Sequence, residues 1–163
     1  MKLGVSNIAW EYKHEPEYLQ LLKNYSFKTL EIAPTKIWPN IAEATEDRCK
    51  EYKEVVSTYD ISINSMQSAL FGTSNLNIFI TPQKTLKYLC KVLQICEWIG
   101  ITKMVFGSPK NRFIPESMLD KDAKISAISF FKQLATEASF HGICICLEPN
   151  AKEYGCNFLT TVS

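Results

Sequence analysis

Hydrophobic positions along the chain follow two periods. Short apolar runs with alternating partners, KLGVSN (2–7), TLEIA (29–33), ISINSMQ (61–67), TKMVFG (102–107) and ICICLE (143–148), read as strands. Between them, apolar residues recur every three or four positions, the spacing of one helical face. The first such segment runs over 16–25 and the second over 42–59, with Cys49, Tyr52, Val56 and Tyr59 on one side. The third opens at Thr81, a residue type that caps helices, followed by Pro82, whose missing N–H costs nothing in a first turn. Its expected apolar stripe is Leu86, Leu89, Cys90, Leu93 and Cys96, and its wet face is Lys84, Lys87, Lys91 and Gln94. Gly100 should end it in the left-handed conformation that glycine accepts. The fourth segment, 120–141, is expected to bury Ile128, Phe131, Leu134, Ala135 and Ala138 and to stop at Gly142.

Strand, helix, strand with short connections is the pattern of βαβ units, hence of a parallel sheet with right-handed crossovers. An open doubly wound sheet and a (β/α)₈ barrel both satisfy it. In an open sheet covered on both sides, both strand faces should be apolar. Here one parity is apolar: Leu3 and Val5, Leu30 and Ile32, Ile61 and Ile63, Ile143, Ile145 and Leu147. The other carries Gly4 and Ser6, Thr29 and Glu31, Ser62 and Asn64, Cys144, Cys146 and Glu148. One face wants helices and the other a tighter, wetter environment, which favours a barrel interior. No low-complexity linker or charge block interrupts residues 1–163, so a single domain is expected.

Composition narrows the partners. Apolar residues make up 46 % and charged residues 21 %, as in ordinary globular proteins. A net charge of +1 supplies no electrostatic reason for a nucleic-acid or membrane-surface partner. No run approaches the roughly 18 apolar residues that span a bilayer, and the N-terminus turns polar too early for a signal peptide. Cysteines at 49, 90, 96, 144, 146 and 156 form no C-x-x-C pair, which points to reduced thiols, buried or half-buried, and to the cytoplasm.

Five segments together carry a resemblance. SNIAW after the first strand, LEIAPTKIWP at the second, INSMQSALFG at the third, GSPKNR after the fourth and LEPNAKEYGCNF at the fifth occur in the order found in the sugar-phosphate isomerase/epimerase family. These are xylose-isomerase-like TIM barrels, relatives of metal-dependent ketose 3-epimerases. The resemblance implies an α/β fold of parallel βα repeats, but such a barrel takes about 250 residues, so this chain is expected to be a partial (β/α)₈ barrel of about four and a half units. It is expected to be the N-terminal part, as a truncated product, a fragment or a half that needs a partner, and its open sheet edges are expected to make it self-associate or curl into a flattened sheet.

Glu148 is the residue on which the chemistry turns. The run Ile143 to Leu147 stops at this carboxylate, with Pro149 and Asn150 directly behind it. At the C-terminal end of a barrel strand it would point into the mouth, where such barrels do their chemistry. The resemblance makes it a ligand of Mg²⁺ or Mn²⁺ and a catalytic acid/base acting on a sugar or sugar phosphate next to its carbonyl. Without the resemblance, it equally caps the next helix or pairs with a lysine. The family's other ligands, an aspartate, a histidine and a second glutamate, are expected beyond Ser163, so neither tight metal binding nor turnover is expected of this chain alone. His14 and His141 read as surface or capping residues.

The remaining substrate-binding candidates surround the same mouth. In GSPKNR, Gly107 and Ser108 allow close approach to the backbone, while Lys110 and Arg112 meet either a phosphate or only water. Glu31 accepts a sugar hydroxyl or pairs with a lysine. Asn7, Gln67 and Asn150 sit at strand ends, Tyr154 shares the loop of Glu148, and Trp10 offers an aromatic wall. Cys156 is expected to be partly exposed. Two other readings stand beside the enzyme: a non-catalytic remnant or small-molecule-binding module, and a DNA-cleaving relative, against which two histidines and near-neutral charge count.

Overall fold

The computed structural model describes residues 3–161, so Lys2 of the expected first strand, and Val162 and Ser163, lie outside the described residues. Five strands, β1 (Gly4–Ser6), β2 (Thr29–Ile32), β3 (Ser62–Met66), β4 (Lys103–Phe106) and β5 (Cys144–Leu147), form one parallel sheet in chain order. The crossovers are helical: α1 (Glu15–Asn24), a one-turn α2 (Pro34–Ile37) with α3 (Glu46–Ser57), α4 (Pro82–Ile99) and α5 (Asp120–Phe140). A sheet that never reverses its strand order, with a helix after each of its first four strands, is an open arc of a TIM barrel rather than a doubly wound sheet.

The face reading holds because only one side of the arc meets helices. Leu30, Ile32, Met66, Met104 and Phe106 are buried against them, while Gly4, Ser62, Asn64, Lys103 and Cys144 are exposed on the other side. A bulge refines the third strand. Leu30 pairs with Ile63 but Glu31 pairs with Ser65, so Asn64 is the extra residue and the alternation slips by one. That slip sends Met66 into the core and turns Ser65 toward Glu31.

Several helix expectations need correction. The second helical segment does not start at 42: a separate 3₁₀ turn, Ile41–Glu43, precedes α3, and Thr45 caps the helix by accepting from the Arg48 N–H at 3.4 Å. Thr81 sits at the N-cap of α4 without capping it, because its hydroxyl instead accepts from the Asn77 N–H at 3.0 Å. The buried stripe of α4 is wider than expected, adding Val92, Ile95 and Ile99, while Leu86 and Cys90 are half-buried. On α5 the buried line runs through Ala123, Ala127, Phe130, Leu134 and Ala138; Ile128 and Ala135 are exposed. Gly100 and Gly142 both take positive φ at the helix ends, as expected.

All six cysteines are free thiols. Cys144 is exposed rather than buried, because the inner face of β5 is open, and Cys156 is buried rather than exposed, its thiol on the Phe158 carbonyl at 2.9 Å. Burial raises Cys49 to about 11 and Cys96 to about 12, so both stay protonated. Among the described residues, no helix is long and apolar enough to cross a membrane.

Candidate active-site mouth

Parallel strands bring all their C-terminal ends to one rim, and the sequence puts polar residues there. At the β4–β5 side, the Glu148 N–H donates to the Phe106 carbonyl at 3.1 Å, which continues the ladder one residue past the strand. The Glu148 carboxylate is exposed and lies over the Cα of Gly107: a Cβ there would meet Glu148 Oε2 at 2.3 Å. Beside it, Asn150 Nδ2 donates to the same oxygen at 3.4 Å.

The loop after β4 does not hold a solvated pair of cations. Ser108 takes a left-handed conformation (φ 40°) and Pro109 starts a 3₁₀ turn, Pro109–Arg112, that folds the chain back. Asn111 pins this turn by donating to the carbonyls of Thr73 and Leu76, each at 2.8 Å. Arg112 is therefore fully buried, donating from Nη2 to Asn150 Oδ1 at 2.7 Å, whereas Lys110 is exposed. The expectation that Arg112 meets only water is corrected: it is buried, and its partner is an amide of the neighbouring loop.

On the β1–β3 side a second polar set assembles. Ser65 Oγ donates to Glu31 Oε1 at 2.8 Å, so in this structure Glu31 pairs with a hydroxyl of its own sheet and not with a lysine. Gln67 Nε2 donates to Ser6 Oγ, and its Oε1 accepts from Ser68 Oγ at 3.2 Å. Asn7 is buried and accepts from the Ala33 N–H at 2.8 Å, tying the ends of β1 and β2 together. Trp10 is 6 % exposed and stacks on Tyr18 at 4.9 Å, so the aromatic wall expected of it is largely covered. Tyr154 is exposed in the turn after Glu148.

Buried polar atoms without a hydrogen-bond partner concentrate at this rim. Among the described residues they are Asn7 Nδ2, Trp10 Nε1, Thr35 Oγ1, Ser108 Oγ and Arg112 Nε and Nη1. All follow the C-terminal ends of β1, β2 and β4 in the chain, with the Trp10 ring packed on Tyr18 of α1. Each such group costs about 1–3 kcal/mol, a penalty that proteins retain mainly where something else needs those groups.

Sequence patterning missed a buried pair on the helical side. The Tyr52 hydroxyl donates to Glu15 Oε1, and both residues line a cavity of about 410 Å³ with Tyr12, Trp38 and Arg48 that does not reach Glu148. Glu15 stands beside Pro16 like any first-turn acid, and Tyr52 reads as core, so nothing local marks the contact. Burial pushes the Glu15 carboxyl above 4.5, against the opposing pull of the Tyr52 hydroxyl and Lys36. Between its unfolded and folded values the native state holds the extra proton, so this stabilisation is complete below 4.5 and lost as pH rises through the folded value. Glu15→Gln keeps an acceptor for Tyr52 without the charge. Denaturant unfolding from pH 4 to 8 should show the native protein losing stability relative to the variant as pH rises; parallel curves would refute this.

No three His, Cys, Asp or Glu side chains come together to hold a metal ion among the described residues. His14 lies 3.7 Å from Glu17, and His141 contacts Glu97 at 2.6 Å between α5 and α4; neither histidine approaches Glu148. The described residues thus do not make up a metal site by themselves.

No protein-family model and no curated protein matches the chain. Solved structures do match it in fold. D-psicose 3-epimerase with D-tagatose from Clostridium cellulolyticum H10 superposes with a TM-score of 0.73 at 15 % identity, covering 98 % of this chain and 55 % of that one. A sugar phosphate isomerase/epimerase from Parabacteroides distasonis gives 0.62 at 17 % identity, covering 90 % and 50 %. An IOLI protein with a bound zinc atom gives 0.64 at 15 % identity, covering 90 % and 51 %. The chain spans about half the length of the structures it matches, and at these identities the likeness establishes the fold: a partial TIM barrel.

Proposed function

We propose that this chain is one domain, the N-terminal part of a divalent-metal-dependent isomerase or epimerase of a sugar or sugar phosphate, working in the cytoplasm. The observation that carries the reading is the placement of Glu148: an exposed carboxylate at a strand's C-terminal end, held above a glycine and facing the polar side of the sheet. Solved structures of this fold whose names state sugar isomerisation or epimerisation, and one holding zinc, support the class.

In this reading Glu148 removes the proton from the carbon next to the substrate carbonyl. The C–H electron pair moves into an enediolate, and a returned proton gives the epimer or the isomer. Mg²⁺ or Mn²⁺, completed by ligands from outside the described residues, would supply charge stabilisation. Glu31, Gln67 and Asn150 line the polar face where hydroxyls would bind, with Asn7 buried behind them, and Lys110 is the cation of the fourth loop still open to a phosphate. The edges at β1 and β5, with Leu3 and Leu147 exposed, are surfaces for further strands or for a second copy.

The test is isotope exchange. Ketoses and ketose phosphates are incubated in D₂O with Mn²⁺ and either this chain or any longer product of the same gene, and light scattering on the same samples reads association. Exchange next to the carbonyl should need the longer product and fall roughly 10²–10⁴-fold in Glu148→Gln. Exchange indifferent to that substitution would remove Glu148 from the chemistry. Binding of sugar without exchange in every form would favour the non-catalytic binding module. A monomer at all concentrations would remove the self-association.

A further inference from the structure

Arg112 sits in the mouth without facing solvent. A guanidinium is costly to bury, yet this one is 0 % exposed and two of its three nitrogens have no partner among the described residues. Its one hydrogen bond goes to Asn150, the residue that also touches Glu148.

The donor inventory makes that contact directional. Guanidinium groups only donate, so the 2.7 Å bond must be received by Asn150 Oδ1. The amide then has only its NH₂ to turn toward Glu148, an acceptor, which it reaches at 3.4 Å. Were Arg112 absent, the amide would be free to rotate and to offer its oxygen to the carboxylate, which repels. The rest of the arrangement is already fixed: Glu148 N–H on Phe106, Asn150 N–H on the Leu159 carbonyl at 3.2 Å, and Arg112 held by a turn that Asn111 pins. Gly107 leaves the space into which the carboxylate is drawn.

We infer that Arg112 is a positioning residue: it sets the amide of Asn150, and that amide holds the Glu148 carboxylate over Gly107. The inference rests on reading Glu148 as the working carboxylate, but its test does not depend on turnover.

Two variants separate positioning from simple packing. Arg112→Met removes the donor. Asn150→Asp keeps, and charges, the acceptor for Arg112 while replacing the donor to Glu148 with a second carboxylate, so the loop stays tied and only the last link is broken. Selective labelling of Asn and Glu lets NMR read exchange of the Asn150 side-chain amide and the order of the Glu148 side chain. In the native chain the Glu148 side chain should be ordered, and in both variants its order should fall to that of a free surface glutamate. Arg112→Met should also speed Asn150 amide exchange roughly tenfold or more. Should Arg112→Met not fold, Asn150→Asp decides alone. A Glu148 as ordered in Asn150→Asp as in the native chain, or mobile already in the native chain, overturns the inference. Ordered Glu148 released by both variants, together with isotope exchange of the longer product that is indifferent to Glu148→Gln, would support the positioning role and count against the catalytic reading alone.

Discussion

Alanine in place of Gly107 is expected to slow proton transfer about 100-fold while leaving stability nearly unchanged, because misplacing a reacting group by about 1 Å has that order of effect. Gly107 is not held at positive φ, so alanine meets no backbone strain there. What its Cβ meets is the far end of the Glu148 side chain, 2.3 Å from Oε2, with Asn150 Oδ1 at 3.4 Å. A flexible carboxylate can move aside cheaply, which is why the fold tolerates the change. It cannot move aside and remain where Asn150 holds it. The isotope-exchange assay reads the rate, and the Glu148 and Asn150 signals of this chain read the displacement directly. An alanine variant that exchanges at the native rate would mean that Glu148 does not act from its place above Gly107.

The largest stability effect is expected at the centre of the helical face. Leu30 is wholly buried in β2, flanked by Val5 of β1 and Ile63 of β3, so Leu30→Ala should cost about 2–5 kcal/mol by lost transfer energy and the cavity left behind. Ile128→Ala is the control. The residue belongs to the apolar stripe expected from sequence, yet it is 57 % exposed on α5, and its removal from a dilute monomer should stay within about 0.5 kcal/mol. Paired denaturant titrations measure both. Comparable losses would place Ile128 in the core and contradict the rotation of α5 described above.

Ile128 also shows where sequence reading loses its footing. Helix α5 is rich in apolar residues on more than one side, so two lines at the same spacing compete: Ile128, Phe131, Leu134, Ala135 and Ala138, or Ala123, Ala127, Phe130, Leu134 and Ala138. Periodicity cannot choose between lines that differ by a small rotation. Contact does: α5 packs on α4 and β5, and the alanines permit the close approach that isoleucine at 128 would block. The shift in α4 is milder, since Leu89, Leu93 and Cys96 belong to both the expected and the observed stripe.

What the sequence determined by itself is whatever short-range chemistry decides. Short apolar runs marked all five strands, glycine ended α4 and α5 where positive φ is needed, and the contrast between apolar and polar parities was enough to favour a barrel arc over a doubly wound sheet. Glu148 was legible as a strand-end carboxylate because the apolar run before it is so abrupt. Tertiary structure alone decided which side chains meet. The bulge that turns Ser65 to Glu31, the contact of Tyr52 with Glu15 across 37 residues, and the burial of Arg112 against Asn150 across 38 all join segments distant in the chain. Hydrogen bonds between distant segments leave no period in the sequence. A donor and its acceptor are chosen by where the backbone puts them, and that is set by the packing of the whole sheet and its helices.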